Sequence, residues 1–485
     1  MHYIRLLRAP TLTREDNRKH PWSLNVVLTI TTDLGDSFLT PEDNDPVKIK
    51  VSAGWEQQKR KQQKNEESSR KQKSEPMALA AEKVLRWTPG MRVLKADIPA
   101  QHLPGQGALP NTNNLGPLRV RIRAEGDKSA DTATSVSFAG FEGECGKILP
   151  LWADVQTPGS EAPTTCIRRL HHGDRPSESV FEIEEDIGES IARHIWDAGL
   201  MAVSGLWQVN TRESFAAEKH PWHMKTFHNI LFENGPVNIL ELGCGVGILG
   251  NGLAQLLSDA DPKGEGAILM TDLPEAEHRA CANIDRLVTN GAASIHPRYE
   301  NLDWDDGRKG VFGPLVKAKT WDVVVMSDCT YNVDSLPSLV NTWTAVHVHN
   351  ISKSSNESFR TWVYIAWKKR HPDENEFWNQ VDSQGWTLHE EDVVELPVLG
   401  GETEKIFTYL FSMKSTKFEL DEEKGVWSLQ LTTPSAPKTN PTSSTCLSSI
   451  PGESQNAIRG FNKQKNGRSG NRTQDLPHAK RSLYH

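Results

Sequence analysis

The stretch NILELGCGVGILGNGLAQLL, Asn238–Leu257, joins an apolar run to a helical pattern through a glycine-rich turn. Gly243, Gly245 and Gly247 alternate in that turn. Leu249, Leu253 and Leu256 then fall on one face at helical spacing. A strand, a glycine turn and a helix in that order make a receiving loop for a phosphate, a dinucleotide or another nucleoside cofactor.

Working outward, VNILEL, AILMTD, WDVVVMSD and TWVYIAW are continuous apolar runs that end in polar residues, as buried strands do. The segments between them are long enough for crossover helices, which implies a parallel sheet covered on both faces. KIFTYLFSM, Lys405–Met413, supplies a last strand that could run antiparallel. Upstream, Ile187, Ile191, Ile195, Ala198 and Ala202 lie near one face at helical spacing, so a helical segment is expected from Asp186.

Before Ala124 the runs are shorter and alternate: Ser23–Leu34, Pro46–Ala53, Met91–Ile98 and Leu118–Glu125 suit half-buried strands. The sequence from Glu56 to Glu75 has no apolar residue and is expected to be a solvated insertion. Gly126–Gly173 has the weaker pattern of Gly-, Pro- and Ser-rich connections. The expected organisation is an N-terminal β-rich region over 1–180 with a disordered insertion at 56–76, an α/β domain over 181–416, and a low-complexity, disordered tail over 417–485.

The 485 residues exceed what one core usually organises, and the formal net charge of −8 argues against general nucleic-acid binding. Six scattered cysteines without a CxxC pair read as free thiols in a reducing compartment. No stretch of ~18 uninterrupted apolar residues marks a membrane span, and the expected address is the cytoplasm, with the nucleus as the second. No metal site is expected, because His220, His223 and His228 lack a fourth ligand nearby.

Two cofactors compete for the glycines. A dinucleotide fingerprint requires G-x-G-x-x-G, whereas Gly250 comes too late to be its third glycine. A carboxylate beside the turn, Glu241, would repel a pyrophosphate but is tolerable near the cationic sulfonium of S-adenosylmethionine. Asp272 ends the next strand, where a carboxylate can accept hydrogen bonds from both ribose hydroxyls. It follows Gly243 by more than the ~20 residues of the compact fingerprint, and the polar insertion SDADPKGEGA accounts for the excess.

IWDAG (Ile195–Gly199), ELGCGVG, TDL, LDW (Leu302–Trp304) and SDCTY (Ser327–Tyr331), in that order, resemble the seven-β-strand class I protein-lysine methyltransferases with an Asp-x-x-Tyr signature. AWKKR (Ala366–Arg370) followed by ENEFW is similar to that family's segment after the fifth strand. The resemblance spans about Asp186 to Met413. It implies a Rossmann-like, seven-stranded, mostly parallel sheet, and S-adenosylmethionine as cofactor. On the matching positions it implies that Trp196 contacts the cofactor. Gly243 and Gly245, with Cys244 between them, admit its amino-acid portion, Asp272 holds the ribose, Trp304 packs beside the adenine with Asp303 nearby, and Ser327 lends backbone. The chain has LDWDDG where the family commonly has LDWG.

On the same resemblance Asp328 positions an incoming lysine ammonium through a charge-assisted bond, and Tyr331 lines the lysine channel. Cys329 reads as packing. The implied substrate is another protein, of the class of translation factors and chaperones, and the protein is expected to be a monomer. A small-molecule N-methyltransferase, an inactive scaffold on the same fold and, more distantly, a nicotinamide-dependent dehydrogenase are the alternatives.

Overall fold

A computed structural model describes residues 1–14, 22–57, 78–100, 115–137, 147–172, 180–188, 193–209, 223–260, 263–354, 359–414, 418–421 and 426–429. Ile191, nearly all of the expected insertion and the tail from 430 onward lie outside the described residues. Glu56 and Gln57, at the insertion's start, end a strand.

The apolar runs form the seven-stranded sheet. Its strands are β1 (Asn238–Leu242), β2 (Ala267–Asp272), β3 (Arg298–Asn301), β4 (Val323–Ser327), β5 (Arg360–Lys368), β6 (Thr387–Leu396) and β7 (Glu404–Lys414). They lie in the order 3-2-1-4-5-7-6. β1 pairs in parallel with β2 and β4, β2 with β3, and β4 with β5. β7, the last strand in the chain, lies between β5 and the edge strand β6 and runs antiparallel to both. This is the Rossmann-like, mostly parallel sheet, and its chain order reverses direction at β1 and β4, where such sheets take their ligands.

The strands are buried on both faces, which is why their sequences are continuous rather than alternating. Ile239, Ile268, Met270, Val323 and Val325 enter one core, and Leu240, Leu242, Leu269, Val324 and Met326 enter the other. Full burial of each such side chain contributes about 1.5–3 kcal/mol, so the two faces fix the register. The helix α1 spans Asp197–Val209, α2 Ile248–Ala260 and α3 Pro274–Thr289. α3 starts on a proline at its first turn with Glu275 and Glu277 beside it, and ends near Arg286, matching charge to both ends of the helix dipole.

Two further sheets precede the seven-stranded one. The first combines His2–Leu6, Thr11–Arg14, Trp22–Thr31, Leu94–Pro99 and Ile148–Leu149. The second runs Val180–Asp186, Thr165–His171, Leu151–Asp154, Leu115–Ala124, Val47–Gln57 and Ala78–Trp87. The region expected to be irregular, Gly126–Gly173, therefore carries strands. Their sequences, such as TCIRRLH, bury charge by pairing it: Arg168 meets Glu185 across two strands, both almost fully buried. The helix expected from Asp186 begins instead at Asp197, because Val180–Asp186 is the last strand of the second sheet. The expected domain boundary after residue 180 falls at the start of that strand.

Val180–Asp186 also grips α3. Arg279 pairs with Glu184 and Asp186, and Arg286 with Glu182 and Glu184. The Asn283 amide accepts from Glu184 N–H and donates to the Glu184 and Val246 carbonyls. Met1–Leu431 consequently form one compact unit, with Tyr3, Leu149 and Phe181 in the same core as Ile239 and Val323. Past β7, Phe418–Asp421 and Val426–Leu429 pair as two antiparallel strands inside the region expected to be a tail. No described helix is long and apolar enough to cross a membrane.

Candidate active site

β1 ends at Leu242, and the chain turns through Gly243, Gly245 and Gly247 at φ of 68°, 53° and 80°. L-residues pay steric energy there, so glycine is the residue that permits the turn. Space demands it as well: a Cβ on Gly243 would lie 2.5 Å from Cys329 Sγ and 3.1 Å from the Trp304 ring. The turn is stitched by Gly247 N–H donating to the Cys244 carbonyl at 2.7 Å and by Cys244 N–H donating to the Thr271 carbonyl at 3.0 Å.

Asp272 sits at the end of β2 beside the turn. Its carboxylate accepts from Gly245 N–H at 2.7 Å and from Leu273 N–H at 2.7 Å. Burial pushes its carboxyl above the usual carboxylate range, against the pull of those two N–H groups. Each oxygen keeps a lone pair for a further donor.

Trp304 opens a short helix, α4 (Trp304–Gly307), with its ring against Gly243. Asp303 caps that helix, its side chain accepting from Asp305 N–H at 2.8 Å. Gly243, Asp272 and Trp304 thus come together at the carboxyl edge of β1 and β2, the candidate recess for a cofactor. Glu241 does not share it: the carboxyl is turned beneath the first turns of α2, close to Gly250, and is buried there. Burial drives its carboxyl well up, with Asp272 adding repulsion. The sequence reading that placed Glu241 beside the cofactor's charge is corrected accordingly.

Across the recess β4 ends at Ser327, whose hydroxyl would lie 3.0 Å from a Cβ on Gly199, so α1 packs closely against this strand end. Asp328 follows at φ 54°, the one non-glycine residue in the left-handed region among the described residues. Its side chain is buried, with one oxygen accepting from Ala198 N–H at 2.8 Å and the other from Arg370 Nη1 at 2.6 Å and Lys368 N–H at 3.4 Å. Burial raises its carboxyl, opposed by Arg370. The expectation that Asp328 meets an incoming ammonium directly therefore finds a carboxylate already engaged by the chain. Tyr331, three residues on, is 48% exposed.

Cys329 lies between them with its thiol toward the Leu242 carbonyl at 3.3 Å. Burial pushes the Cys329 and Cys244 thiols well above their ordinary range, which agrees with packing and not with nucleophilic chemistry. Trp196, ahead of α1, is half-buried with the Arg370 guanidinium 5.2 Å from its ring centre.

Behind this edge lies a buried ionic group that the sequence reading did not assemble. Lys368 Nζ reaches Asp33 at 2.9 Å, Asp197 at 2.8 Å and Glu404 at 2.7 Å, and the Tyr3 hydroxyl donates to Asp197 at 2.7 Å. Arg370 Nη2 reaches Asp33 at 2.8 Å. Burial alone would lower the Lys368 ammonium, but these carboxylates raise it. Asp197 lies inside IWDAG, and Lys368 and Arg370 inside AWKKR, so the resemblance touched three of the partners. Asp33, more than 300 residues away in the chain, carried no signal beyond a polar end to an apolar run.

Residues 176–384 match the model of a family described as lysine methyltransferase. A UPF0665 family protein of Schizosaccharomyces pombe is 25% identical over 389 residues, which cover 79% of this chain and 93% of that protein. The alignment thus reaches well beyond the family segment. Among solved structures, a SAM-dependent methyltransferase of Methanosarcina mazei is 14% identical, with a TM-score of 0.26 over 39% of this chain and 97% of its own. TYW2 of M. jannaschii, in complex with AdoMet, is 13% identical with a TM-score of 0.28, over 53% and 89%. With the family match, the strand order and the glycine turn together, the seven-stranded domain is that of an S-adenosylmethionine-dependent methyltransferase, similar over residues 176–384 to the lysine methyltransferase family.

Proposed function

We propose that the protein methylates a lysine side chain of another protein, of the kind represented by translation factors and chaperones in the cytoplasm. The observation that carries this reading is the contact between the two sides of the site. Cys329, inside the Asp328–Tyr331 turn, packs directly on Gly243, so the turn that ends in half-exposed Tyr331 borders the cofactor turn.

Bound in the recess, S-adenosylmethionine supplies a methyl carbon on a sulfonium, a leaving group that needs little acid assistance. The chain's task is then placement. Gly243 and Gly245 let the backbone approach closely, Asp272 accepts from ribose hydroxyls, and the Trp304 ring offers a flat face to the adenine. Asp328 holds the turn from which Tyr331 projects. The Tyr331 ring attracts a cationic side chain, and its hydroxyl can accept from the amine. Desolvation of the amine as it enters would lower its pKa, favouring loss of its proton to water, and alignment with the methyl carbon would supply most of the acceleration.

The test is mass spectrometry of lysate proteins after incubation with isotopically labelled donor and either wild-type or Tyr331→Ala protein. Labelled methyl groups on lysines of one or a few proteins, lost with Tyr331→Ala, are expected. Label confined to small metabolites would overturn the protein substrate, and label on no molecule would overturn the activity.

A further inference from the structure

Asp33 follows the strand Trp22–Thr31 of the N-terminal region, and its side chain is completely buried. Four donors converge on it. Lys368 Nζ at 2.9 Å and Leu34 N–H at 3.0 Å meet one oxygen; Arg370 Nη2 at 2.8 Å and Asp197 N–H at 3.4 Å meet the other. Its own carbonyl is held by Arg5 Nη2 at 2.7 Å, and the following loop is closed by Thr32 N–H to the Ser37 carbonyl at 3.0 Å. Asp33 is therefore a fixed point supplied by the N-terminal strands.

The second nitrogen of that same guanidinium, Arg370 Nη1, binds Asp328 at 2.6 Å. One rigid, planar group thus spans a carboxylate from each region. Asp328 needs such support. Its left-handed backbone, at φ 54°, persists only where surrounding contacts over-determine it, and Arg370 supplies the shortest of them. Arg370 also lies over the Trp196 ring, so a single side chain touches Asp33, Asp328 and the residue just ahead of α1.

We infer that Asp33 is a positioning residue for methyl transfer: acting through Arg370, it fixes Asp328 and so the placement of Tyr331. The N-terminal β region is then part of the working site and not an appended module. The inference rests on reading the Asp328–Tyr331 turn as the substrate side. The plainer view, that these ion pairs only join two regions, differs in consequence. It expects a loss of overall stability without a local change at the turn.

The experiment compares full-length wild-type, Asp33→Asn, Arg370→Lys and doubly substituted protein. Hydrogen exchange is followed by mass spectrometry, S-adenosylmethionine binding by calorimetry, and labelled methyl incorporation into lysate protein is measured per folded molecule. In folded Asp33→Asn, amides of residues 328–331 are expected to exchange about tenfold faster or more, while α2 is unchanged. Methyl incorporation is expected to fall about ten- to a hundredfold with donor affinity preserved. Arg370→Lys should behave alike, and the double variant should be no worse than the poorer single one, because both interrupt one chain of contacts. If Asp33→Asn does not fold, Arg370→Lys carries the same comparison. Unchanged exchange at 328–331, a uniform rise across the protein, or additive losses would overturn the inference. Exchange needs no methyl transfer, so a wild-type protein that labels nothing would refute the proposed reaction while this assignment is still decided at the turn.

Discussion

The backbone N–H of Gly245 donates to the carboxylate of Asp272 at 2.7 Å, tying the glycine turn after β1 to the end of β2. The bond joins the two features from which a nucleoside cofactor was read in the sequence. It also ties the turn to the proposed ribose-binding carboxylate, and a site held by its own hydrogen bonds has a lower ordering cost of binding.

Asp272 should make donor binding sensitive to pH. Its carboxyl titrates above the usual range because it is buried, and the ionised form is the better acceptor for ribose hydroxyls. Affinity should therefore fall as pH drops through that raised value, at a higher pH than an exposed aspartate would give. Asp272→Asn should weaken binding about tenfold or more and flatten the dependence, since hydrogen bonds to charged groups are worth ~1.5–3 kcal/mol. Calorimetric titrations of S-adenosylhomocysteine across the acid range check both statements.

Gly243→Ala should damage fold and site together. The left-handed backbone alone costs about 1–2 kcal/mol for an alanine. The added methyl also meets Cys329 and the Trp304 ring. Denaturant unfolding should show at least that loss, and the folded fraction should bind donor poorly. Wild-type stability and affinity in this variant would contradict the described turn.

Trp304→Ala should leave α4 capped by Asp303 and yet remove the flat face of the recess. Stacking of a base on an aromatic ring is worth ~1–3 kcal/mol. Donor affinity should drop about tenfold or more, with thermal unfolding shifted less than in Gly243→Ala.

Glu241 offers a stability test free of ligand. Its carboxyl is buried, and burial raises it far above its value in the unfolded chain, with Asp272 adding to the rise. A carboxyl raised in the folded state favours folding while protonated. That advantage is present below the unfolded value of about 4.3 and is lost as pH rises through the folded one. Glu241→Gln cannot ionise, so it should gain on the wild type steadily from about pH 5 upward. Melting curves at acid and neutral pH measure the difference; an equal offset at both would contradict it.

The parts that were legible in the sequence are those in which one physical requirement dominates. β1, β2, β4 and β5 are buried on both faces and so could only be apolar runs, and the turn at Gly243 could only be glycine. β3, RYEN, and β6, TLHEEDVVEL, were not recognised, because strands at the sheet's edges need only backbone pairing and can stay polar. Thr165–His171 and Val180–Asp186 hide buried charge that looks like loop sequence until Arg168 meets Glu185. Asp328 was recognised by its place in SDCTY, but its engagement was not, since Arg370, Ala198 and Asp33 reach it or its partner only through the tertiary fold.

The central claim is that the recess formed by Gly243, Asp272 and Trp304 holds S-adenosylmethionine, and calorimetry of the full-length protein with S-adenosylhomocysteine tests it most directly. Saturable binding at one site per chain is expected, weakened by both Trp304→Ala and Asp272→Asn. A folded wild-type protein that releases no heat, or binding that both substitutions leave untouched, would contradict the account.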